Sequence, residues 1–358
     1  MHRSPLDAED LRVRVQKTLD EFVVGQVPHL DSISEDLGPL TDSISSLLSG
    51  GKRLRAAFCF WGWRGAAGGD GEDILRAATS LELLQACALI HDDVMDRSDT
   101  RRGQPAVHRR FAALHRGNGW LGDPQSFGTG AAILVGDLCL SWADELLYTC
   151  GLPPADLRRA KPVYDAMRTE LMSGQYLDLL EQSRGGGSVE RALNVITYKS
   201  AKYTIERPLL LGGALASAPV ELLKTYSEYG LPLGEAFQLR DDVLGVYGDP
   251  AETGKPAGDD LREGKRTVLI ETTMQLATPA GAAHLRRHLG DPHLDESGID
   301  ALREIIESCG ALGQVEQRIA ARTQTALCAL DADGAGLVAE PARTVLSELA
   351  VVATARRG

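Results

Sequence analysis

Three aspartates stand at i, i+1 and i+4 where an apolar segment ends: LELLQACALIHDDVMD, residues 81–96, closes on Asp92, Asp93 and Asp96. On a helix turning about 100° per residue, Asp92 and Asp96 lie roughly 40° apart and Asp93 completes an arc of about 100°. Three carboxylates on one arc repel each other unless a cation sits among them. Hard oxygen donors in that number suit Mg²⁺, which takes one or two carboxylates and fills its shell with phosphate oxygens and water. A solvated acidic helix end is the plainer alternative, but acids at a helix C-terminus oppose the macrodipole. Just beyond them, Thr100-Arg101-Arg102-Gly103 supplies two planar guanidinium forks suited to phosphate oxygens.

A second acidic pair lies far away in the chain, in QLRDDVLGVYGDPAETGKPAGDDLREGK at 238–265. Asp241 and Asp242 follow Gln238 by one turn, but their i+4 position is Gly245 and so lacks the third acid. Asp249 is roughly 12 Å further along a helix axis, too far to share one metal with Asp241. Lys255, Asp259, Asp260 and Lys265 come next. Two more basic sites exist. GGKRLR at 50–55 sets Lys52 and Arg55 at i, i+3 on an expected first helical turn, where an anion is the natural partner of added cations. Tyr198-Lys199-Ser200 places a lysine and a hydroxyl within an apolar helical stretch. Neither phosphate-loop pattern, GxGxxG or GxxxxGK[ST], occurs, so a nucleotide is not suggested.

The elements that must carry these residues all read as helices. Apolar positions recur at three and four residues, and no alternating run is long enough for a sheet. Helices are expected at 7–24, 52–66, 72–97, 126–150, 154–182, 188–216, 219–247, 265–289, 297–329 and 338–355, with glycine-rich breaks between several of them. The expectation is an all-α bundle of about ten long helices in a single domain spanning 1–358. Hydrophobic residues make up 43% and charged residues 25%, an ordinary balance for a soluble protein. A formal charge of -12, from 38 basic and 50 acidic residues, argues against a nucleic-acid partner. Six cysteines (Cys59, Cys87, Cys139, Cys150, Cys309 and Cys328) show no CxxC or zinc spacing, which fits free thiols in a reducing cytoplasm. The N-terminus lacks the apolar core of a signal peptide, and no membrane-spanning run is expected.

Taken in order, GGKRLR, DDVMD with TRRGQP, YKS, QLRDD and TGKPAGDDLREGK resemble the trans-isoprenyl diphosphate synthases, or polyprenyl synthetases, over roughly residues 45–270. The resemblance implies a helical bundle around a central cavity, usually a homodimer, with three Mg²⁺ ions between Asp92, Asp93 and Asp96 on one side and Asp241 and Asp242 on the other. It implies that Lys52, Arg55, Gln85 and Arg102 hold isopentenyl diphosphate. Arg101, Lys199, Lys255 and Lys265 would hold the allylic diphosphate, with Ser200 and Gln238 lining the reacting end. Asp260 matches the family's aspartate before the LREGK run better than Asp259 does. Two departures stand out: Gln85 where many members have histidine, and Gly245, which predicts weaker metal binding on that side.

The chemistry implied is ionisation of an allylic carbon–oxygen bond. Arg101, Lys199 and Lys255 stabilise the departing diphosphate, and isopentenyl diphosphate attacks the cation. Cys87 and Ala88, five and four residues before Asp92, are small, which predicts a product longer than C15 and most simply the C20 geranylgeranyl diphosphate. Farnesyl or longer-chain (C25 or more) synthases are the alternatives. A terpene cyclase would use a different second motif, with no second diphosphate site, and a non-catalytic partner subunit typically loses the aspartates kept here.

Overall fold

The computed structural model describes residues 4–184, 186–248, 258–331 and 336–355. The expected all-α architecture is observed. A 3₁₀ turn, Pro5–Asp10, leads into α1 (Leu11–Asp31), followed by α2 (Gly38–Leu48), α3 (Leu54–Gly65) and α4 (Glu72–Met95). A hairpin of β1 (Thr100–Arg101) and β2 (Gln104–Pro105) then precedes α5 (Val107–Gly117), α6 (Pro124–Tyr148) and α7 (Pro154–Arg184). Next, α8 (Val189–Val195), a π-helical stretch (Ile196–Glu206) and α9 (Arg207–Leu215) run on without a break into α10 (Val220–Tyr247) after a short turn. The remaining elements are α11 (Asp259–Glu263), α12 (Val268–Leu276), α13 (Pro279–His288), α14 (Glu296–Ser308), α15 (Ala311–Asp331) and α16 (Ala342–Thr354).

Several boundaries differ from the sequence expectation, each for a local reason. The 265–289 helix is two, because Thr278 caps a new start by accepting the Gly281 amide at 3.2 Å, with Pro279 in its first turn. The 297–329 helix breaks at Gly310, whose φ of 83° is the left-handed stop that glycine takes freely. The 52–66 helix starts at Leu54. Arg53 sits at φ 56° ahead of it, bonded to Glu82 at 3.3 Å, so Lys52 precedes the helix rather than riding its first turn. α2 and α5 were not expected at all; GPLTDSISSLL is serine-rich and VHRRFAALHRG is short and basic, so neither stands out by apolar repeat. The 188–216 helix contains the π-helical stretch.

Two apolar clusters form the interior, and α10 threads both. Leu222, Tyr226, Tyr229, Leu233 and Phe237 belong to the cluster built with α1, α3, α4, α6 and α7. Ala236, Leu239, Val243 and Val246 belong to one shared with α12, α14 and α15. The C-terminal helices brace α10 from outside: Arg240 donates to Glu316 on α15 at 2.5 and 2.7 Å and to the Thr354 carbonyl on α16 at 3.0 Å. Among the described residues α6 alone is long and apolar enough to cross a membrane by length and composition. It packs along α4 and α5 while Ile133 and Leu134 stay 43% and 65% exposed.

Backbone contacts made possible by glycine hold the π-helical stretch. A methyl on Gly174 of α7 would sit 2.3 Å from the Lys199 amide nitrogen, and one on Gly234 of α10 would sit 2.5 Å from the Ala201 Cα. The helix carrying Lys199 is therefore clamped between α7 and α10 at backbone distance, and π-helical segments recur where a helix must present a side chain for function. Gly174→Ala should cost about 1–3 kcal/mol of stability, the range for overpacking a filled interior, and displace Lys199. Urea unfolding and activity would both record it; an unchanged midpoint would contradict the clamp.

Candidate active site

The first acidic wall is the C-terminal turn of α4. Asp92 accepts from Gln175 Nε2 at 2.9 Å and from Lys199 Nζ at 3.2 Å, and Lys199 also meets Asp178 Oδ2 at 2.6 Å. Gln175 and Asp178 stand one turn apart on α7. Neither was singled out from sequence, and their i, i+3 spacing in GQYLD beside an apolar stripe is the signal that could have found them. Asp93 is buried and turned toward Arg101, whose Nε donates to Oδ1 at 2.9 Å; Arg101 also lies 3.6 Å from Asp92. Burial opposes the charge on Asp92, but Lys199, Lys265 and Arg101 outweigh it and hold its carboxyl at about 2. Asp96 goes the other way. Burial first, then the neighbouring Asp92, raise it to about 6, and both its oxygens are buried without a hydrogen-bond partner.

The second wall is the end of α10 with α11. Asp242 is fully enclosed and accepts from Gln238 Nε2 at 2.8 Å; burial, with Asp260 and Asp241 adding to it, pushes its carboxyl up to about 8. Gly245 has a clear consequence here. A methyl on it would lie 1.9 Å from Asp260 Oδ2, so the carboxylate of Asp260, brought in by α11, occupies the space a side chain at 245 would take. Asp260 thus brings a carboxylate beside the position where the motif lacks its third acid.

Lys265 stands where the walls meet. Its Nζ lies 2.7 Å from Glu263, 3.4 Å from Asp260 and 3.7 Å from Asp96. Burial disfavours its charge, yet Asp260, Glu263, Asp96 and Asp92 together raise its pKa well above the ordinary lysine value. The aspartates near 92 and those near 241 therefore face one mouth.

A second, cationic region adjoins this mouth. Arg102 sits at φ 53° and Gly103 at φ 71°, the paired left-handed residues of a two-residue hairpin turn. Arg102 Nη1 donates to the Leu47 carbonyl at 2.7 Å and also to that of Gly50, and its guanidinium packs on Gly51. Burial and then the nearby Arg53 lower its pKa, with Arg101 and Arg55 adding to the effect and Glu82 opposing it. Cations that depress one another ask for an anion. Arg55 donates to Thr204 Oγ1 at 2.8 Å and stacks 4.3 Å over the Tyr203 ring, leaving its Nε buried without a partner. Gln85 Oε1 is likewise buried and unpartnered, Lys52 is exposed, and Ser200 is half-buried on the π-helical stretch beside Lys199. A 230 Å³ pocket, lined in part by Asp93, Arg101, Arg102 and Arg110, opens beside the hairpin. Lys255 and Asp249 lie outside the described residues.

Among the described residues no three acids, histidines or cysteines converge as a ready-made metal cage, because Lys199, Lys265 and Arg101 interleave the carboxylates. The donor set nonetheless fits a hard divalent ion. It is all oxygen, Asp96 has two orphaned buried oxygens, and burial with Asp260 and Asp241 nearby raises the Asp242 carboxyl to about 8, so added positive charge would favour its ionised form. Of the two residues expected to floor the cavity, Cys87 is enclosed at 3% exposure against His91, Sγ to Nδ1 3.7 Å, with burial lifting its thiol to about 12, while Ala88 is half-buried and packs against the core.

Facing aspartate clusters, lysines between them and an adjoining arginine pocket, all inside a helical bundle, define a protein that handles diphosphates with metal help. The polyprenyl synthetase family profile matches residues 39–306. A geranylgeranyl pyrophosphate synthase from Corynebacterium glutamicum, crystallised with isoprenyl diphosphate and magnesium, superimposes with a TM-score of 0.92 at 42% identity, over 96% of this chain and 98% of that one. The geranylgeranyl diphosphate synthase of Saccharolobus solfataricus is 33% identical over 72% of this chain and 73% of its own length. The (2E,6E)-farnesyl diphosphate synthase of Mycobacterium bovis is 34% identical over 73% and 67% respectively. The chain belongs to the polyprenyl synthetase family and is a trans-prenyltransferase.

Asp178→Asn should leave Lys199 with less anionic support and weaken its hold beside Asp92. A loss of about 10-fold or more in kcat/KM is expected, the scale of one charge-assisted hydrogen bond, with the thermal midpoint shifted little. Wild-type kinetics in the variant would remove Asp178 from the site.

Proposed function

We propose that this chain is a Mg²⁺-dependent geranylgeranyl diphosphate synthase, working as a homodimer in the cytoplasm, with three metal ions at the mouth. The observation that carries the reading is the meeting of two acid walls around Lys265, next to a separate arginine pocket. One diphosphate fits each. In this assignment Asp92, Asp96 and Asp241 are the principal metal ligands, with Asp93, Asp242 and Asp260 behind them. When bound, the ions act as Lewis acids on the allylic diphosphate.

The chain's own residues supply the rest. Arg101, Lys199 and Lys265 face the departing diphosphate and stabilise its growing charge in a low-dielectric mouth, with Lys255 assigned to the same task. Lys52, Arg55, Arg102 and Gln85 hold isopentenyl diphosphate so that its double bond lies about 3–3.5 Å from the allylic carbon. To reach a substrate, the Arg102 guanidinium exchanges its bonds to the backbone carbonyls of Leu47 and Gly50 for phosphate oxygens. Ser200 and Gln238 line the reacting end. The released diphosphate is the base that removes the proton.

The C20 product rests on the absence of a bulky side chain at 87 and 88. A C15 product is the second reading, favoured by the farnesyl synthase among the relatives. Incubation with isopentenyl diphosphate and each of the C5, C10 and C15 allylic diphosphates, followed by mass analysis, decides between them: geranylgeranyl diphosphate is expected, and farnesyl diphosphate as the end product would overturn the C20 assignment. Cys87→Phe or Ala88→Phe should shorten the product by at least one C5 unit; unchanged length would misplace the floor. Chelation with EDTA should abolish turnover, and Mg²⁺ should restore it. The exposed Ile133 and Leu134 on α6 form the face assigned to the second copy. Leu134→Glu should yield a monomer by light scattering, whereas an unaltered mass would exclude this face.

A further inference from the structure

Glu263 belongs to none of the residues assigned above, yet it touches both sides of the mouth. Ser98, buried just past the first acid cluster, donates its hydroxyl to Glu263 Oε1 at 3.3 Å. The other oxygen of Glu263 lies 2.7 Å from Lys265 Nζ as an ion pair without hydrogen-bond geometry, and the side chain is 13% exposed. Lys265 has two further acidic neighbours, Asp260 at 3.4 Å and Asp96 at 3.7 Å. Those are carboxylates a divalent ion would draw on, directly or through water, since Asp96 has both oxygens buried without a hydrogen bond and Asp260 fills the gap beside Gly245. Once they turn to a metal, Lys265 keeps one close protein anion. That anion is Glu263, fixed from behind by Ser98.

We propose that Glu263 is a positioning residue: it holds the Lys265 ammonium aimed at the substrate diphosphate while metal occupies the other carboxylates, and through Ser98 it latches α11 to the end of α4. Without it Lys265, on a flexible four-carbon stem, loses its fixed direction at the moment the substrate needs it. This inference rests on the diphosphate reading of the mouth.

Calorimetric titration of the full chain with inorganic pyrophosphate, with and without Mg²⁺, tests it apart from turnover. Wild type should bind pyrophosphate only with Mg²⁺. Glu263→Gln keeps the shape and an oxygen for Ser98 but removes the charge, and should weaken Mg²⁺-dependent pyrophosphate binding about 10- to 100-fold, the equivalent of about 1.4–2.8 kcal/mol at about 1.4 kcal/mol per tenfold. The KM for the allylic diphosphate should rise in step while that for isopentenyl diphosphate and the thermal midpoint stay put, and Glu263→Asp should recover part of the loss. Ser98→Ala, one hydroxyl smaller, should show a loss of a fewfold in the same direction and carries the test if Glu263→Gln does not fold. Unchanged pyrophosphate binding in the folded Glu263→Gln variant, or equal rises in both KM values with a falling midpoint, overturns the positioning role. Wild type that does not bind pyrophosphate with Mg²⁺ overturns the diphosphate reading itself.

Discussion

Mutual repulsion among carboxylates gathered at one partly buried mouth is the constraint around which this molecule is built. Two like charges about 4 Å apart repel by about 4 kcal/mol at an effective dielectric of 20. Asp92, Asp93, Asp96, Asp178, Asp242, Asp260 and Glu263 are tolerable together only because Lys199, Lys265 and Arg101 stand between them. The compensation is incomplete. Asp92 is held at about 2, but Asp96 rises to about 6 and Asp242 to about 8, so the protein's own cations leave part of the negative charge unserved. The mouth is an electrostatic demand for more positive charge, and its oxygen-only chemistry says of what kind.

Everything structural serves to hold those groups at fixed distances. The acid-bearing ends of α4 and α10 come from different parts of the chain, and two kinds of device bring them into register. Backbone-to-backbone contact at Gly174 and Gly234 seats the π-helical stretch, which fixes Lys199 against Asp92 from the side opposite Arg101. The C-terminal helices fix α10 through Arg240 to Glu316 and Thr354, and through the Tyr229 hydroxyl to the Leu346 carbonyl at 2.7 Å. A region with no readable chemistry of its own thereby positions the second wall. Buried polar contacts of this sort tolerate little slack, because an unmatched partner in the interior costs about 1–3 kcal/mol.

How much of this was legible in the sequence follows from what sequence periodicity can carry. Long helices show their apolar spacing, so α4, α6, α7 and α10 were placed within a few residues. The aspartate and arginine clusters were visible because like charges in a row are costly unless they have a partner. What could not be seen was pairing across space. Gln175 and Asp178 look like ordinary polar positions on α7 until Asp92 and Lys199 are set beside them. Gly245 read as a lost ligand, yet in the fold it is a gap into which Asp260 inserts from α11. Arg53 was passed over between Lys52 and Arg55, but it sits on a left-handed backbone and is buried against Glu82. The π-helical stretch left no trace either, since no residue type in ITYKSAKYTIE marks where the backbone hydrogen bonds shift by one residue.

The same electrostatics explains how two substrates with identical head groups are told apart on the reading proposed here. Diphosphate binds wherever cations are in excess, so cations alone give no discrimination between an allylic and a homoallylic ester. Carboxylates do. A diphosphate would sit among Asp92, Asp96 and Asp241 only with divalent ions between, and ions held there would supply the Lewis acidity that weakens its carbon–oxygen bond. Beside Arg55 and Arg102 the acids among the described residues are already engaged: Asp93, which lines the pocket, is paired with Arg101, and Glu82 is spent on Arg53 and the Ala56 amide. A diphosphate held there is bound but not activated, and its ester bond survives. Placing metal-requiring acids on one side and metal-indifferent arginines on the other makes one molecule the electrophile and leaves the other intact to act as the nucleophile.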